Sequence, residues 1–247
     1  MYSTVSDPTE LALSLLYRLR LLPIRTYPFD HFYGQGCFEP TVSECIQEYW
    51  PAADLFTAIS ETKRVSTGSY PQRHLISVSE LTKNLSINTK EKSFWGNFAS
   101  AVLGDSFLTG VLDWLWPHIK TARDLPKKIS IHSECVLTED HQGYRLTPHT
   151  DAPNRLVTIL FYVPAITSES MGTSLYVRKE HVVKIPKPSA SHWARENFNK
   201  VYTAPFVRDA CLGFVVGAES FHGVEPIGTL ATVRRQIQYA IRYREVS

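Results

Sequence analysis

Residues 146–163, LTPHTDAPNRLVTILFYV, place His149 and Asp151 two positions apart, directly ahead of an apolar run. In an extended chain, side chains at i and i+2 leave the same face roughly 7 Å apart at their bases, so an imidazole and a carboxylate converge on one point. The run RLVTILFYV is rich in β-branched and aromatic residues and reads as a strand. An HxD pair arises easily by chance in a chain with nine histidines, so its weight comes from the residues downstream of it. GTSLYV at 172–177 is a strand opened by glycine, CLGFVVG at 211–217 is another apolar strand, and His222 follows in FHGVEP. Arg234 and Arg235 come next, the first of them twelve residues beyond His222.

Around this stretch the chain divides in two. After Pro126, short β-rich runs (ISIHSECVLT, GYRLTPH, RLVTILFYVP, TSLYVRK, APFVRD, CLGFVVG and VRRQIQYAIRY) alternate with Gly, Pro, Ser and Asp. That pattern predicts an antiparallel sandwich or barrel rather than a parallel sheet. Residues 1–125 read as mostly helical support and 126–247 as the β core of one domain, a size that a single core fills at 247 residues. Asp7, Pro8 and Glu10, followed by Leu11, Leu15, Leu19 and Leu22, predict a helix from Pro8 to Leu22. Thr41 with Glu44 predicts a second helix starting near Val42. The apolar spacing from Thr89 to Lys120 predicts two more, broken near Gly104 and Asp105, with an aromatic stripe facing the core. PKPSASHWARENFNKVY, residues 186–202, reads as a long surface connection, with a flap over the site as the alternative.

Composition narrows the function. A formal net charge of +2, without basic runs beyond short clusters at Lys127–Lys128 and Arg178–Lys187, argues against a nucleic-acid partner. Four irregularly spaced cysteines without a CxxC suit reduced thiols in a cytoplasmic protein. The N-terminus lacks a basic n-region, and Arg18 and Arg20 interrupt the first apolar stretch, so neither a signal peptide nor a membrane span is expected.

Two imidazoles and one carboxylate occupy one face of an octahedron and leave three positions open, a donor set that suits non-haem Fe(II). With HTD at 149–151, GTSLYV at 172–177, FHGVEPI at 221–227 and RRQIQYAI at 234–241, residues 129–243 resemble the double-stranded β-helix (jelly-roll) core of the Fe(II)- and 2-oxoglutarate-dependent oxygenases. A weaker similarity covers residues 28–52, PFDHFYGQGCFEPTVSECIQEYWPA. The resemblance implies a mainly β fold with helices on the major sheet, and a metal triad of His149, Asp151 and His222. It implies Fe(II) as cofactor, 2-oxoglutarate and O2 as cosubstrates, succinate and CO2 as co-products, and oxidation, most readily hydroxylation, of a small organic substrate. Desaturation, cyclisation and demethylation use the same apparatus. Because halogenating relatives replace the carboxylate with a small residue, Asp151 argues against halogenation.

In that family an arginine on the last strand binds the far carboxylate of 2-oxoglutarate, a task that suits the two-pronged guanidinium. Alternation puts Arg234, Gln236 and Gln238 on one face and Arg235, Ile237, Tyr239 and Ile241 on the other. The polar face is expected to line the cavity, which favours Arg234 over Arg235 as the anchor. The same logic groups Arg145 and Thr147 with His149 as candidate substrate contacts, and Arg155, with Asn154, just past the HTD, is a further candidate contact or else merely ends the connection before the strand. The remaining histidines lack ligand spacing and read as surface or structural. Two rivals keep the same residues: a cupin-like His2Asp metal hydrolase or isomerase, and a non-catalytic binding module. Substrate identity, whether amino-acid-like or a specialised metabolite, and oligomeric state carry no motif.

Overall fold

A computed structural model describes residues 7–62, 64–65, 70–83, 88–228 and 233–246. The first six residues, part of the N-terminal stretch in which no leader is expected, lie outside that set. The described helices and strands run in the order α1 (Pro8–Arg20), β1 (His31–Gln35), α2 (Pro40–Glu48), β2 (Thr57–Ala58), β3 (Arg73–Ser77), α3 (Val78–Leu81), α4 (Thr89–Val102) and α5 (Asp105–Ala122). The series continues with β4 (Ile129–Asp140), β5 (Leu146–His149), β6 (Arg155–Tyr162), β7 (Thr173–Arg178), β8 (Phe198–Thr203), β9 (Ala210–Val215), β10 (His222–Val224) and β11 (Arg234–Glu245). The strands form two antiparallel sheets, a major one ordered β1-β9-β6-β11-β4-β3-β2 and a minor one ordered β5-β10-β7-β8. This is the mainly β architecture, with helices on the major sheet, that the sequence implies.

β6 is buried at every position because both of its faces are covered. Val157, Ile159 and Phe161 join Ile237, Tyr239 and Ile241 of β11 in a core with Phe94, Trp95, Phe98, Phe107 and Val111 of α4 and α5. On the opposite face, Leu160 and Tyr162 meet Leu212 and Phe214 of β9 and Leu175 of the minor sheet. Each fully buried Phe or Leu contributes roughly 1.5–3 kcal/mol, and Trp95 also donates its indole N–H to the Tyr49 carbonyl at 2.7 Å. The aromatic stripe of α4 and α5 is therefore core. Alone, neither helix is long and apolar enough to cross a membrane, and together they bend by 43°.

The helix boundaries reflect local capping chemistry. Asp7 accepts a hydrogen bond from the Thr9 amide, and Asn88 with Glu91 forms a capping box for α4. α2 starts at Pro40 rather than near Val42, because proline at its first position sets the entry and Thr41 caps nothing. Two strand expectations change. APFVRD is a connection held by a lone bridge from Phe206 to Ser168, whereas FNKVYT, all but its last residue inside the expected surface connection, is β8 and pairs with β7. Residues 1–125 also contribute β1, β2 and β3 to the major sheet, strands that a helical view of this half leaves out. Gly172 must be glycine because a Cβ there would lie 1.6 Å from the Ala204 carbonyl oxygen.

Candidate metal centre

His149 ends β5, His222 opens β10, and the two are register partners across the minor sheet, with ring centroids 4.3 Å apart. Asp151 lies just beyond β5, in the turn leading to β6. One ligand atom from each of the three residues falls within 4.8 Å of the others. Each imidazole is oriented by its own backbone, since His149 Nδ1 lies 3.0 Å from the Thr147 carbonyl and His222 Nδ1 lies 3.0 Å from the Ser220 carbonyl. A carbonyl only accepts, so Nδ1 carries the proton in both rings and each Nε2 keeps its lone pair for a metal. His222 Nε2 is 4.0 Å from Asp151 Oδ2.

The carboxylate is oriented just as firmly. Asp151 Oδ1 accepts from Arg155 Nη1 at 2.9 Å and Oδ2 accepts from the Thr158 hydroxyl at 2.7 Å. Burial alone would raise the Asp151 carboxyl, but the Arg155 guanidinium, both imidazoles and the Thr158 hydroxyl hold it well below the usual carboxylate range. Burial pushes His149 well below the ordinary imidazole value, reinforced by His222, and burial lowers His222 as well. An anionic carboxylate beside two neutral imidazoles is the protonation state that metal ligation needs. The donor set and its backbone support fit a divalent iron.

Arg155 thus both lines the cavity and holds one of the three ligands. Replacing it with Met is expected to weaken metal binding roughly 10–100-fold, the usual cost of removing a group that orients a ligand. A chelator-competition titration measures the change, and unaltered affinity would show that Asp151 needs no such support.

The triad sits at one end of a cavity that Arg73 and Arg234 also line. A bulge decides which residues of β5 face it: His222 pairs with His149, but Val224 pairs with Leu146, so three steps on β5 oppose two on β10. Leu146 lines the cavity with His149, Thr147 turns its hydroxyl to His192 Nδ1 at 3.4 Å on the His149 side of the strand, and Arg145 is exposed. Gly223 fits the bulge because a Cβ would stand 2.5 Å from the Leu146 carbonyl oxygen. Arg195 clasps the same place, donating to the carbonyls of Leu146 at 3.0 Å and Val224 at 2.5 Å. Asn154 faces away and accepts from Arg242 at 3.0 Å.

The far end of the cavity is built by β3, β4 and β11, where Arg73, Asp140 and Arg234 are successive register partners. Arg73 grips Asp140 with Nε at 2.6 Å and Nη2 at 2.8 Å, and Arg234 Nη1 reaches the same carboxylate at 2.7 Å. Arg234 is fully buried and also donates to the Met171 carbonyl at 2.6 Å and Thr173 Oγ1 at 3.2 Å. Gln236 and Gln238 line the cavity beside it. Arg235 lies on the other side of the sheet, bonded to Glu139 at 3.0 Å and placed over the Trp50 ring.

Three residues at the site escape a reading of the sequence alone. Arg73 and Asp140 belong to strands whose alternation carries the signal, but their pairing with Arg234 depends on strand order. His192 stacks on His149 with centroids 4.6 Å apart, and its segment is tied to β5 by the Trp193 amide donating to the Pro148 carbonyl at 2.9 Å. No local pattern distinguishes His192 from the other histidines.

No protein-family model and no curated protein matches the chain. Solved structures do. A prolyl hydroxylase from Trichoplax adhaerens, in complex with a peptide of the hypoxia inducible factor oxygen degradation domain, is 13% identical with a TM-score of 0.50, over 96% of this chain and 90% of that one. The epimerase SnoN, solved with Fe3+, alpha ketoglutarate and nogalamycin RO, is 13% identical with a TM-score of 0.51, over 96% of this chain and 84% of that one. AviO1 from Streptomyces viridochromogenes Tue57 is 11% identical with a TM-score of 0.50, over 94% of each chain. At these identities the likeness establishes a shared fold.

Proposed function

We propose that the protein is an Fe(II)- and 2-oxoglutarate-dependent oxygenase that oxidises, most readily by hydroxylation, a small organic molecule. The observation that carries this is one cavity with the His149–Asp151–His222 triad at one end and the buried Arg234 guanidinium at the other. A bifunctional cosubstrate that chelates iron at one end and presents a carboxylate at the other matches that polarity. SnoN, of the same fold, was solved with Fe3+, alpha ketoglutarate and nogalamycin RO, which favours a specialised metabolite as substrate class here. A metal hydrolase would share the triad, but it makes no use of a buried guanidinium remote from the metal.

Bound iron, with 2-oxoglutarate and O2, would supply the oxidising power. The protein's own groups do the positioning. His149, Asp151 and His222 would hold the metal by three corners, leaving the rest of its shell for exchangeable ligands. Arg234 would donate to the distal carboxylate, with Thr173 and the Met171 carbonyl fixing its guanidinium plane. Leu146, Leu160 and Val224 give the cavity an apolar wall that limits water near the metal.

With Fe(II), 2-oxoglutarate and the right substrate, the purified protein is expected to form succinate faster than without substrate. Mass spectrometry of the product distinguishes gain of one oxygen from loss of two hydrogens across a panel of candidate metabolites. An Fe(II)-loaded protein that neither binds nor turns over 2-oxoglutarate would overturn the proposal.

A further inference from the structure

We propose that Arg73 is a second cosubstrate-positioning residue, and that Arg73, Asp140 and Arg234 together form a receptor for one carboxylate group; this rests on the protein being a 2-oxoglutarate-dependent oxygenase. Three adjacent strands place the residues in a single cross-strand row on the cavity side of the major sheet. Two guanidiniums and one carboxylate leave one net positive charge there. The neighbours contribute none, since Thr173, Gln236 and Gln238 are neutral and burial keeps the Tyr144 phenol protonated. The Arg234 guanidinium is covered by the rings of Tyr162 and Phe206, 5.7 and 5.2 Å from its central carbon, so solvent offsets little of that charge. A single carboxylate entering the cavity would bring the cluster to neutrality.

The donor inventory points the same way. A guanidinium carries five N–H donors. Arg73 commits Nε and Nη2 to Asp140, and its Nη1 amino group makes no hydrogen bond to a described residue. Its plane is held over the Tyr144 ring, 4.4 Å from the centroid, so its free edge is fixed rather than mobile. Asp140, gripping both arginines, sets their spacing. Arg73 would therefore share the distal carboxylate with Arg234, and the cavity would favour dicarboxylic oxo acids over monocarboxylic ones.

The test uses full-length protein loaded with Zn(II), which is redox-inert, and calorimetric titration with 2-oxoglutarate, glutarate and pyruvate. Glutarate has the distal carboxylate without the keto acid, and pyruvate the reverse. Arg73→Gln is expected to weaken 2-oxoglutarate and glutarate tenfold or more while leaving pyruvate unchanged, a split that general damage to the site would not produce. Arg73→Lys, which keeps the charge but loses the fork, is expected to fall between wild type and Arg73→Gln, and serves alone should the glutamine variant not fold. Undiminished 2-oxoglutarate binding in the variants, or equal losses for pyruvate, overturns the role of Arg73 and leaves the oxygenase proposal standing. Wild-type protein that binds Zn(II) but no 2-oxoglutarate overturns both.

Discussion

His149→Ala is expected to cut affinity for a divalent metal on the order of 100-fold and to abolish metal-dependent activity. Structural metal sites bind with about 10–16 kcal/mol shared among their ligands, so one ligand is worth roughly 3 kcal/mol. The loss is not repairable from nearby, because among the described residues His149, Asp151 and His222 form the one group with ligand atoms close enough to hold an ion. The fold should survive, since His149 ends a four-residue strand of the minor sheet and stands apart from the helix-covered core. His192→Ala is the informative control, removing the ring stacked on His149 without removing a ligand that the geometry identifies. Chelator competition for affinity and circular dichroism for folding separate these effects. A His149→Ala protein that still holds metal as wild type does would eliminate the triad as the metal site.

How much of this site is legible in the sequence depends on how far each interaction reaches along the chain. His149 and Asp151 are local, and a two-residue period shows that they share a direction. Alternation along β11 puts Arg234, Gln236 and Gln238 toward the cavity and Ile237, Tyr239 and Ile241 toward the helices, because β11 keeps its register with β4 throughout. The same rule does not put Leu146 on the cavity, because β5 meets β10 through a bulge, and a bulge depends on the partner strand rather than on local composition. Arg73 and Asp140 are unreadable for a related reason. Their roles come from the order β3-β4-β11, which brings residues far apart in sequence into one row, while β3 itself sits in a half whose strongest periodicity is helical. FNKVYT shows the limit of composition: three of its six residues are exposed and it follows a polar, proline-bearing stretch, yet it is a strand because it pairs with β7.

Asp140→Asn is expected to be the most destabilising single substitution at the far end of the cavity. The carboxylate is fully buried and contacted by both Arg73 and Arg234, so an amide would leave two guanidiniums facing each other without a counter-charge. Breaking a buried ionic cluster by removing one partner costs about 3–5 kcal/mol, which in a domain of this size lowers Tm by roughly 10 °C. The pH dependence fixes the cause. Burial opposes ionisation of Asp140, but the charges and hydrogen bonds of Arg73 and Arg234 win and depress its pKa below the ordinary value of 3.8. A depressed carboxyl contributes stability above its unfolded-state pKa and loses it as pH falls through the folded-state value. The gap between wild type and variant should therefore be constant at neutral pH and shrink only in acid below about pH 4. A ligand carboxylate would supply the missing charge, so 2-oxoglutarate should raise the Tm of metal-loaded Asp140→Asn more than that of wild type, by linkage between binding and folding. A variant melting within a degree or two of wild type at neutral pH would mean that the two arginines do not depend on Asp140 for their charge balance.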